Sequence, residues 1–344
     1  MATLGKPLPS CGSRPKVSII TPAYNAGAFL RETLASASRQ TFGDYEHFVV
    51  DDGSTDDTVA IAEAYAAADP RVRVIRQRNL GAAAARNAAI ARATGEYFAL
   101  LDADDLWMPD FLAVQLAILA ANPVVDIVSA NAINFGGPFD GRPLRPASVT
   151  CTPLSLLTMI EIEDSVCITS VFRRRVVDRI GTFDPAVRAN EDYDFWLRAA
   201  AAGCPVLFNA RPCAFYRRHP GGKSANEQRA LRGIIGVLRK HRATPGVGPL
   251  ELAAIGRQVA YFERRSLMVA ARVALTGRDL KTSRRFFRKL ARRDAHDGLR
   301  LVAEVGRWMP RLVLWGYKAK TAVLKCRRHL GFESRDPAGR NAVV

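Results

Sequence analysis

The sequence predicts an α/β protein with a mostly parallel sheet, helices on both of its faces, and a C-terminal α-helical appendage. Short β-branched and aromatic runs alternate with segments of helical periodicity through the first two thirds of the chain. Residues 1–230 hold 24 Lys and Arg against 25 Asp and Glu, whereas residues 231–344 hold 26 against 8. We therefore expect a flexible N-terminus (1–15), a neutral α/β body (16–230) and a basic helical region (231–344).

Two kinds of pattern place the elements of the first half. Runs rich in β-branched or aromatic residues predict strands, and apolar residues at helical spacing predict helices. The run VSII breaks at Pro22, and the run YEHFVV breaks at Asp51. Thr55 is the predicted N-cap of the second helix. The predicted elements are strands over residues 16–25, 45–50, 72–75 and 97–101 and helices over residues 26–40, 58–68 and 79–93.

The second half is predicted in the same way. Gly and Pro in residues 134–153 predict an irregular loop, typical of a substrate-specific insertion. Residues 250–330 read as helices, with breaks at residues 276–277 and around 294–298. The apolar residues of segment 280–293 share one stripe, with Arg and Lys on the other side. The remaining predictions are strands over residues 124–130, 168–172, 206–208 and 213–216 and helices over residues 109–121, 173–181 and 190–203.

Three carboxylates, Asp102, Asp104 and Asp105, follow the apolar run of residues 97–101 directly. Like charges this close repel, and burying them unpaired is costly, so we expect a cation among them. In a continued strand Asp102 and Asp104 would point to one side, which suits a divalent ion. The alternative is a solvated turn whose acids cap the helix near Pro109.

Polar or turn-forming residues also follow the first two strands, as TPAYN and DDGS. In parallel sheets the carboxyl ends of the strands meet at one edge, where ligands bind. An aromatic ring and carboxylates at such an edge suit a base and a ribose, and a metal suits a diphosphate. For Asp51 and Asp52 the alternative is turn chemistry before a helix.

Arg86 and Asn87 lie one helical turn after Gly81. Arg86 either reaches a phosphate from the first turns of its helix or is a solvated helix residue. The sequence alone leaves both readings open.

Glu191 and Asp192 open a later predicted helix. Acidic residues favour helix N-termini through the helix dipole, which explains their presence without a function. A general base held on a rigid helix needs the same placement. His219, taken alone, reads as an ordinary histidine.

Six sequence blocks resemble the inverting family 2 glycosyltransferases, which have the Rossmann-like GT-A fold. They occur in the order of that family, with similar gaps, over residues 16–226. The resemblance implies transfer of a sugar, with inversion, from a nucleotide-sugar donor, usually a UDP-sugar, to a hydroxyl of a saccharide or lipid-linked acceptor in cell-surface polysaccharide or glycolipid biosynthesis. The blocks are VSIITPAYN, VVDDGSTD, NLGAAAARNAAI, TGEYFALLDADDLWMP, NEDYDFWLR and FYRRHPGGKS.

The resemblance also implies roles for individual residues. Asp104, aided by Asp102, would hold Mg²⁺ or Mn²⁺ on the diphosphate, and His219 would complete the metal site or clamp the diphosphate. Asp192 would be the general base, with Glu191 as its nearest rival. Base, ribose and diphosphate would be bound by Pro22, Tyr24, Asn25, Asp51, Asp52, Gly81, Arg86, Asn87, Asp102 and Ala103.

Two motifs that this sequence lacks limit the alternatives. Processive synthases of this family have a Q-x-x-R-W motif beside membrane spans, and the nearest string here is E-V-G-R-W at residues 304–308, with no span after it. We therefore expect one sugar to be added per encounter. A sugar-1-phosphate nucleotidylyltransferase would need a G-x-G-T-R-like loop after its first strand, and this sequence has no such loop. A nucleotide-sugar-binding module without turnover stays open.

The basic C-terminal region has several readings. Basic amphipathic helices with aromatic residues suit an anionic membrane surface, and the alternative is a helical appendage packed on the catalytic domain. We expect no nucleic-acid partner, because no reader motif is present. The first residues lack the apolar stretch of a secretory signal, and no apolar run is long enough to span a membrane, so we expect a cytoplasmic protein, peripheral at the inner face of the plasma membrane.

Overall fold

The computed structural model describes residues 14–137, 139–145, 151–222, 225–291, 305–306 and 308. The chain divides into two compact units, one up to Ala260 and one from Tyr261 onward. The boundary predicted at residue 230, between the neutral body and the basic helical region, stays a prediction. The predicted N-terminal tail up to residue 13, the break around residues 294–298, residues 304 and 307 of the E-V-G-R-W string and the basic segment after residue 308 lie outside the described residues.

The first unit alternates strands and helices, as predicted. Its strands are β1 (Val17–Ala23), β2 (Tyr45–Asp51), β3 (Val72–Arg76), β4 (Tyr97–Leu100), β5 (Leu106–Trp107), β6 (Ile127–Phe135), β7 (Cys151–Leu154), β8 (Ser170–Arg173) and β9 (Val206–Arg217). Its helices are α1 (Gly27–Ser38), α2 (Thr58–Ala68), α3 (Ala82–Ile90), α4 (Phe111–Ala121), α5 (Leu156–Glu161), a 3₁₀ turn (Glu163–Ser165), α6 (Arg174–Ile180), α7 (Glu191–Ala201) and α8 (Glu227–His241), and α9 (Pro249–Thr276) begins in it.

The strands form one sheet in the order β3-β2-β1-β4-β8-β6-β9-β5, with β7 also paired to β9. The first four strands in this order are mutually parallel, and β6 is parallel to β9. Strands β8, β5 and β7 pair antiparallel to their neighbours. Because β1, β2 and β4 are parallel, the residues after Ala23, Asp51 and Leu100 lie at one edge of the sheet. The predicted alternation of strands and helices therefore brings the polar residues that follow these three strands together.

The core explains why the apolar runs form strands rather than loops. Every residue of β2 and of β4 is buried, as expected for strands covered on both faces. Trp107 stacks on Phe111 at a ring distance of 4.2 Å, which packs β5 against the start of α4. Each large side chain buried in this way contributes roughly 1.5–3 kcal/mol.

Two local predictions are wrong for identifiable reasons. The N-cap position of α2 is Asp57, and Thr55 instead donates its N–H and its hydroxyl to the carboxamide oxygen of Asn25, at 2.8 and 3.3 Å. The two strands predicted over residues 206–208 and 213–216 are one strand, β9, because the ladder with β6 absorbs the intervening residues as a register irregularity next to Pro212. Strands β5 and β7 and helix α5 are too short to give a periodic signal.

The second unit contains the rest of α9 and α10 (Leu280–Ala291). The predicted break at residues 276–277 is confirmed, since α9 ends at Thr276. The apolar stripe of α10 packs on α9, where Phe287 and Leu290 meet Ala271 and Leu275. Among the residues that the structure describes, no helix is both long enough and apolar enough to cross a membrane.

Candidate functional site

The three carboxylates after β4 form a turn rather than a continued strand. The N–H of Asp105 donates to the carbonyl of Asp102 at 3.1 Å, so the expectation that Asp102 and Asp104 project from a strand is wrong. The turn instead gathers Asp102, Asp104 and Asp105, each with a carboxylate oxygen within 4.8 Å of the others. We call these three residues the acidic turn. It is a set of hard oxygen donors of the kind that Mg²⁺ and Mn²⁺ prefer.

Asp105 is the member of the acidic turn that most needs a cation. Its side chain is 2% exposed; Oδ1 accepts the Arg217 N–H at 2.8 Å, and Oδ2 has no hydrogen-bond partner among the described residues. Burial, Asp104 and Asp102 together raise the pKa of Asp105 well above its usual value. The reading of these acids as caps of the next helix is wrong, because the N-cap of α4 is Asp110. A cation fits this donor set.

Helix α1 and the end of β9 hold the acidic turn in place. The Thr33 hydroxyl lies 2.9 Å from the carbonyls of both Ala103 and Asp105. Arg217 donates through Nε to the carbonyl of Asp104 at 2.7 Å and through Nη2 to Glu32 at 2.6 Å. Ala103, which was predicted to bind the donor, is buried, and its carbonyl accepts the Thr33 hydroxyl. Contact of Ala103 with a donor stays a prediction.

His219 contacts the acidic turn from the segment just after β9. Its Nε2 lies 3.0 Å from Oδ2 of Asp104, and its ring lies 4.4 Å from the ring of Phe29. The Arg217 guanidinium also lies over Phe29, at 4.8 Å. Burial and Asp102 raise the pKa of Asp104, and the hydrogen bond from His219 opposes this rise. Arg217 and Phe29 are site residues that the sequence reasoning missed. Their only signal was the position of Arg217 two residues before His219 in FYRRHP.

The carboxylates of Asp51 and Asp52 are buried and accept hydrogen bonds from backbone N–H groups of loops. Asp51 accepts the N–H groups of Gly53 and Ser54 at 3.3 and 3.2 Å. Asp52 accepts those of Leu80 and Gly81 at 2.8 Å each and thereby joins the β2 loop to the entry of α3. The turn chemistry weighed as an alternative therefore accounts for Asp51 but not for Asp52, whose N–H partners are 28 and 29 residues away along the chain. Nucleotide binding by both residues stays a prediction.

Pro22, Tyr24 and Asn25 lie at the same edge of the sheet. Tyr24 is 52% exposed, as a ring that stacks on a base needs to be. Asn25 adopts a left-handed conformation with φ of 48°, and its backbone N–H donates to the Ser54 hydroxyl at 2.9 Å. Asn25 thus joins the loops after β1 and β2 and holds Tyr24 at the rim.

Gly81, Arg86 and Asn87 are placed by α3. Gly81 has a φ of 93°, which few other residues adopt, at the residue before the helix. Arg86 is 2% exposed, so the reading as a solvated helix residue is wrong. The Asn87 carboxamide exchanges two hydrogen bonds with the backbone of Phe183, at 2.8 and 3.0 Å. Asn87 therefore fixes α3 to the segment before α7, and contact with a donor stays a prediction for all three residues.

Arg86 joins the acidic turn to helix α7. Its Nη2 donates to Oδ1 of Asp102 at 2.7 Å, and its Nη1 donates to Oε1 of Glu191 at 2.8 Å. The guanidinium lies 5.4 Å from the ring centre of Phe183. Asp102 and the first turn of α7 are thereby parts of one site.

Asp192 follows Glu191 at the start of α7 and is only partly buried. Its Oδ1 accepts the N–H of Tyr193 at 2.9 Å. Burial and the Glu191 carboxylate raise the pKa of Asp192 to about 6, although Arg86 opposes the rise. A carboxylate with this pKa is ionised at neutral pH and is more basic than an ordinary aspartate, as a general base needs to be.

Comparisons with known proteins agree with this geometry. Residues 18–181 match the family model described as Glycosyl transferase family 2. Over 230 residues the chain is 32% identical to a Bacillus subtilis (strain 168) glycosyltransferase, TuaG, which is named for teichuronic acid biosynthesis; the match covers 66% of this chain and 88% of TuaG.

Two solved structures show the same fold. TarS of S. aureus in complex with UDP is 21% identical with a TM-score of 0.57, and the match covers 93% of each chain. The mannosyltransferase PcManGT of Pyrobaculum calidifontis in complex with GDP-Man and Mn²⁺ is 21% identical with a TM-score of 0.57, over 87% of this chain and 88% of that one. Together these matches confirm the predicted fold class.

Proposed function

The chain belongs to glycosyl transferase family 2 and is a glycosyltransferase, and we propose that it is a metal-dependent, inverting and non-processive one. In this proposal it moves a sugar from a UDP-linked donor to a hydroxyl of a saccharide or lipid-linked acceptor in cell-surface polysaccharide or glycolipid assembly. The observation that carries the proposal is the acidic turn, which is joined through Arg86 to the helix that presents Asp192. In this turn, Oδ2 of buried Asp105 has no hydrogen-bond partner within the described part of the chain.

In this proposal the acidic turn would hold Mg²⁺ or Mn²⁺, and the positive charge of the ion would stabilise the departing nucleoside diphosphate. Asp102 and Asp104 would hold the ion in this proposal, as the resemblance implied. Asp105 is added to them because it belongs to the same cluster and its Oδ2 has no hydrogen-bond partner among the described residues. His219 adjoins the cluster through Asp104 and either completes the ligand set or contacts the diphosphate.

Asp192 is the general base in this proposal. It accepts the proton of the acceptor hydroxyl while the oxygen attacks the anomeric carbon from the side opposite the leaving diphosphate. Glu191 is the weaker candidate, because its side chain is buried and its carboxylate is bound by Arg86. Asp192 is the more exposed of the two and has the raised pKa.

Three relatives support the choice of substrates. TarS is named as a complex with UDP and PcManGT as a complex with GDP-Man and Mn²⁺, which supports a nucleotide-sugar donor and a metal. The name of TuaG refers to teichuronic acid, which supports a cell-surface polysaccharide as the product. The exposed ring of Tyr24, beside Pro22, supports stacking on the base.

A donor panel tests the proposal. UDP-, GDP- and dTDP-linked sugars are incubated with the protein and Mn²⁺, and release of the nucleoside diphosphate is measured with and without saccharide acceptors. We expect one donor class to be turned over, with at least about 100-fold loss in Asp192→Asn, because a positioned base contributes roughly 10²–10⁴-fold. Asp104→Ala should lose both turnover and Mn²⁺ dependence.

Asp178→Asn is the matched control, because Asp178 is exposed on α6. Full activity of Asp192→Asn and Asp104→Ala would overturn the site assignment. Binding of a donor without turnover by the unmodified chain would favour the alternative of a binding module.

We also propose that the basic helices of the second unit bind an anionic membrane surface, at the inner face of the plasma membrane. The support is the division of α10 into a buried apolar stripe and an exposed basic face, formed by Lys281, Arg284, Arg285, Arg288 and Lys289. Each Lys or Arg near such a surface contributes about 1 kcal/mol.

Sedimentation with vesicles tests the membrane proposal. Phosphatidylglycerol-containing vesicles should bind the protein and neutral phosphatidylcholine vesicles should not. Replacing Arg284, Arg285 and Arg288 by Glu should release it, whereas Arg31→Glu on α1 together with Arg39→Glu at its C-cap should not. Equal binding of both charge-reversed proteins would contradict the assignment to α10.

A further inference from the structure

Arg86 is a fully desolvated cation between two acidic elements that are far apart in sequence. Glu191 is 105 residues away along the chain, and Asp102 is 16 residues away. The side chain of Arg86 is 2% exposed, and its Nε has no hydrogen-bond partner among the residues that the structure describes. Burying a guanidinium is costly unless carboxylates compensate it, so this arrangement depends on both of its partners.

The shape of the guanidinium matters as much as its charge. The two terminal nitrogens of arginine form a rigid planar fork, so binding one carboxylate with each nitrogen fixes the distance between those carboxylates. Here one carboxylate belongs to the acidic turn and the other belongs to the first turn of α7. Lysine could bring the same charge but could not impose the same separation.

We propose that Arg86 is a positioning residue, which locks the acidic turn and the first turn of α7 in one arrangement and so places Asp192 relative to the donor site. This inference rests on the proposed function, in which the acidic turn holds the donor and Asp192 is the base. In this proposal Arg86 acts through Asp102 and Glu191, whichever of its predicted contacts with a donor phosphate is made.

The charges around Asp192 give the proposal a measurable consequence. Glu191 and Asp102 disfavour the ionised form of Asp192, and Arg86 favours it. Removing the Arg86 charge should therefore make Asp192 harder to ionise. Replacing Arg86 by lysine should leave the ionisation of Asp192 nearly unchanged while it loosens the geometry.

The ionisation of Asp192 can be measured without any donor or metal. Its pKa is about 6 in the folded protein and about 3.9 in the unfolded chain. Because the folded value is higher, the stability that protonated Asp192 contributes is lost as pH rises from about 4 to about 6. The difference in free energy of unfolding between the protein and its Asp192→Asn variant, followed from pH 4 to 8, levels off where Asp192 is fully ionised.

The experiment makes this comparison in three backgrounds: unchanged, Arg86→Met and Arg86→Lys. We expect the levelling point to move upward by about one pH unit with Arg86→Met, since an adjacent arginine lowers the pKa of an aspartate by about 1–3 units, and to stay in place with Arg86→Lys. The Kd for Mn²⁺ in the presence of UDP should rise by about 10-fold or more in Arg86→Met, because Asp102 loses its partner. If Arg86→Met does not fold, Arg86→Gln carries the same comparison.

Arg174→Met is the matched control. The Arg174 guanidinium lies over the ring of Phe98 at 4.7 Å and donates to the backbone carbonyls of Gly95 and Ala93 at the opposite end of β4. It should change neither the levelling point nor the Mn²⁺ affinity. An unmoved levelling point in Arg86→Met, or an equal movement in Arg174→Met, would overturn the proposal. Both readings are independent of turnover, so an inactive unchanged protein would instead count against the proposed function.

Discussion

Replacing Asp194 by Asn should destabilise the protein strongly, although the substitution is nearly isosteric. The Asp194 side chain on α7 is fully buried, and three groups reach its carboxylate. Lys240 Nζ lies at 2.6 Å, Arg198 Nε at 3.0 Å and His241 Nε2 at 3.2 Å. Lys240 and His241 belong to α8, so this carboxylate fixes α8 to α7.

The magnitude follows from the burial of the partners. Breaking a buried ion pair by removing one partner costs about 3–5 kcal/mol. The Lys240 side chain is 37% exposed and that of Arg198 is 19% exposed, so water recovers part of their solvation. We therefore expect the free energy of unfolding to fall by the lower end of this range, about 3 kcal/mol. This corresponds to a fall in Tm of about 6–12 °C for a unit of this size.

The loss should also depend on pH in a defined way. Burial alone would raise the pKa of Asp194, but the hydrogen bonds from His241, Lys240 and Arg198 outweigh it and hold the pKa below its usual value. A carboxylate with a lowered folded pKa contributes stability above its unfolded pKa, about 3.9, and loses it as pH falls through the folded value. The difference between the protein and Asp194→Asn should stay constant from pH 8 to about 5 and shrink below about 4.

The assay is denaturant unfolding followed by circular dichroism, with Asp184→Asn as the control. Asp184 accepts from the same Lys240 at 2.7 Å but is 33% exposed, so its loss should cost no more than about 1 kcal/mol. If Asp194→Asn cost no more than Asp184→Asn, or if its effect vanished between pH 5 and 8, the buried carboxylate would not be what joins α8 to α7.

Three further predictions follow from the site and the sheet. With a pKa of about 6 for Asp192, kcat/KM should fall about tenfold from pH 7 to pH 5, because the ionised base is lost; a flat profile would contradict the assignment. Asp105→Asn should raise the Tm of the metal-free protein and reduce the rise in Tm caused by Mn²⁺, because a disfavoured charge and a ligand are removed together; thermal melts with and without Mn²⁺ decide this. Gly95→Ala should cost about 1–3 kcal/mol, because its Cβ would lie 2.7 Å from the backbone nitrogen of Ser18, whereas Gly236→Ala in open space on α8 should gain about 0.5–1 kcal/mol in the same unfolding assay.

The sequence predicted the sheet edge well because the edge depends on local patterns. Strands β1, β2 and β4 are continuous apolar runs that end in polar residues, and parallel pairing brings those ends together. Such runs and their ends are visible in a window of ten residues. The acidic turn was therefore located correctly, although its conformation was not, because an apolar run does not show where its last ladder hydrogen bond lies.

The partners of the charged residues could not be predicted in this way. Asp51 and Asp52 were expected to face a nucleotide, and the structure shows both carboxylates bound to loop N–H groups. The signal for Arg86 was one basic residue in an alanine-rich helix, which reads equally as a solvated side chain. The burial of Arg86 depends on carboxylates that are distant in sequence, which periodicity does not reveal. The contact between Arg217 and the acidic turn could not be predicted for the same reason.

Helix α7 shows why such pairs decide the function of their neighbours. Glu191 is bound by Arg86 on α3, and Asp194 is bound by Lys240 and His241 on α8, so acidic residues on both sides of Asp192 are held by cations from different helices. These partners are 105, 46 and 47 residues away along the chain. Asp192 lies between them, and no cation among the described residues is in hydrogen-bond contact with its carboxylate. Burial and the Glu191 carboxylate therefore raise its pKa to about 6. Three acids in one helical turn thus take different roles, and the difference arises from tertiary pairing rather than from their spacing.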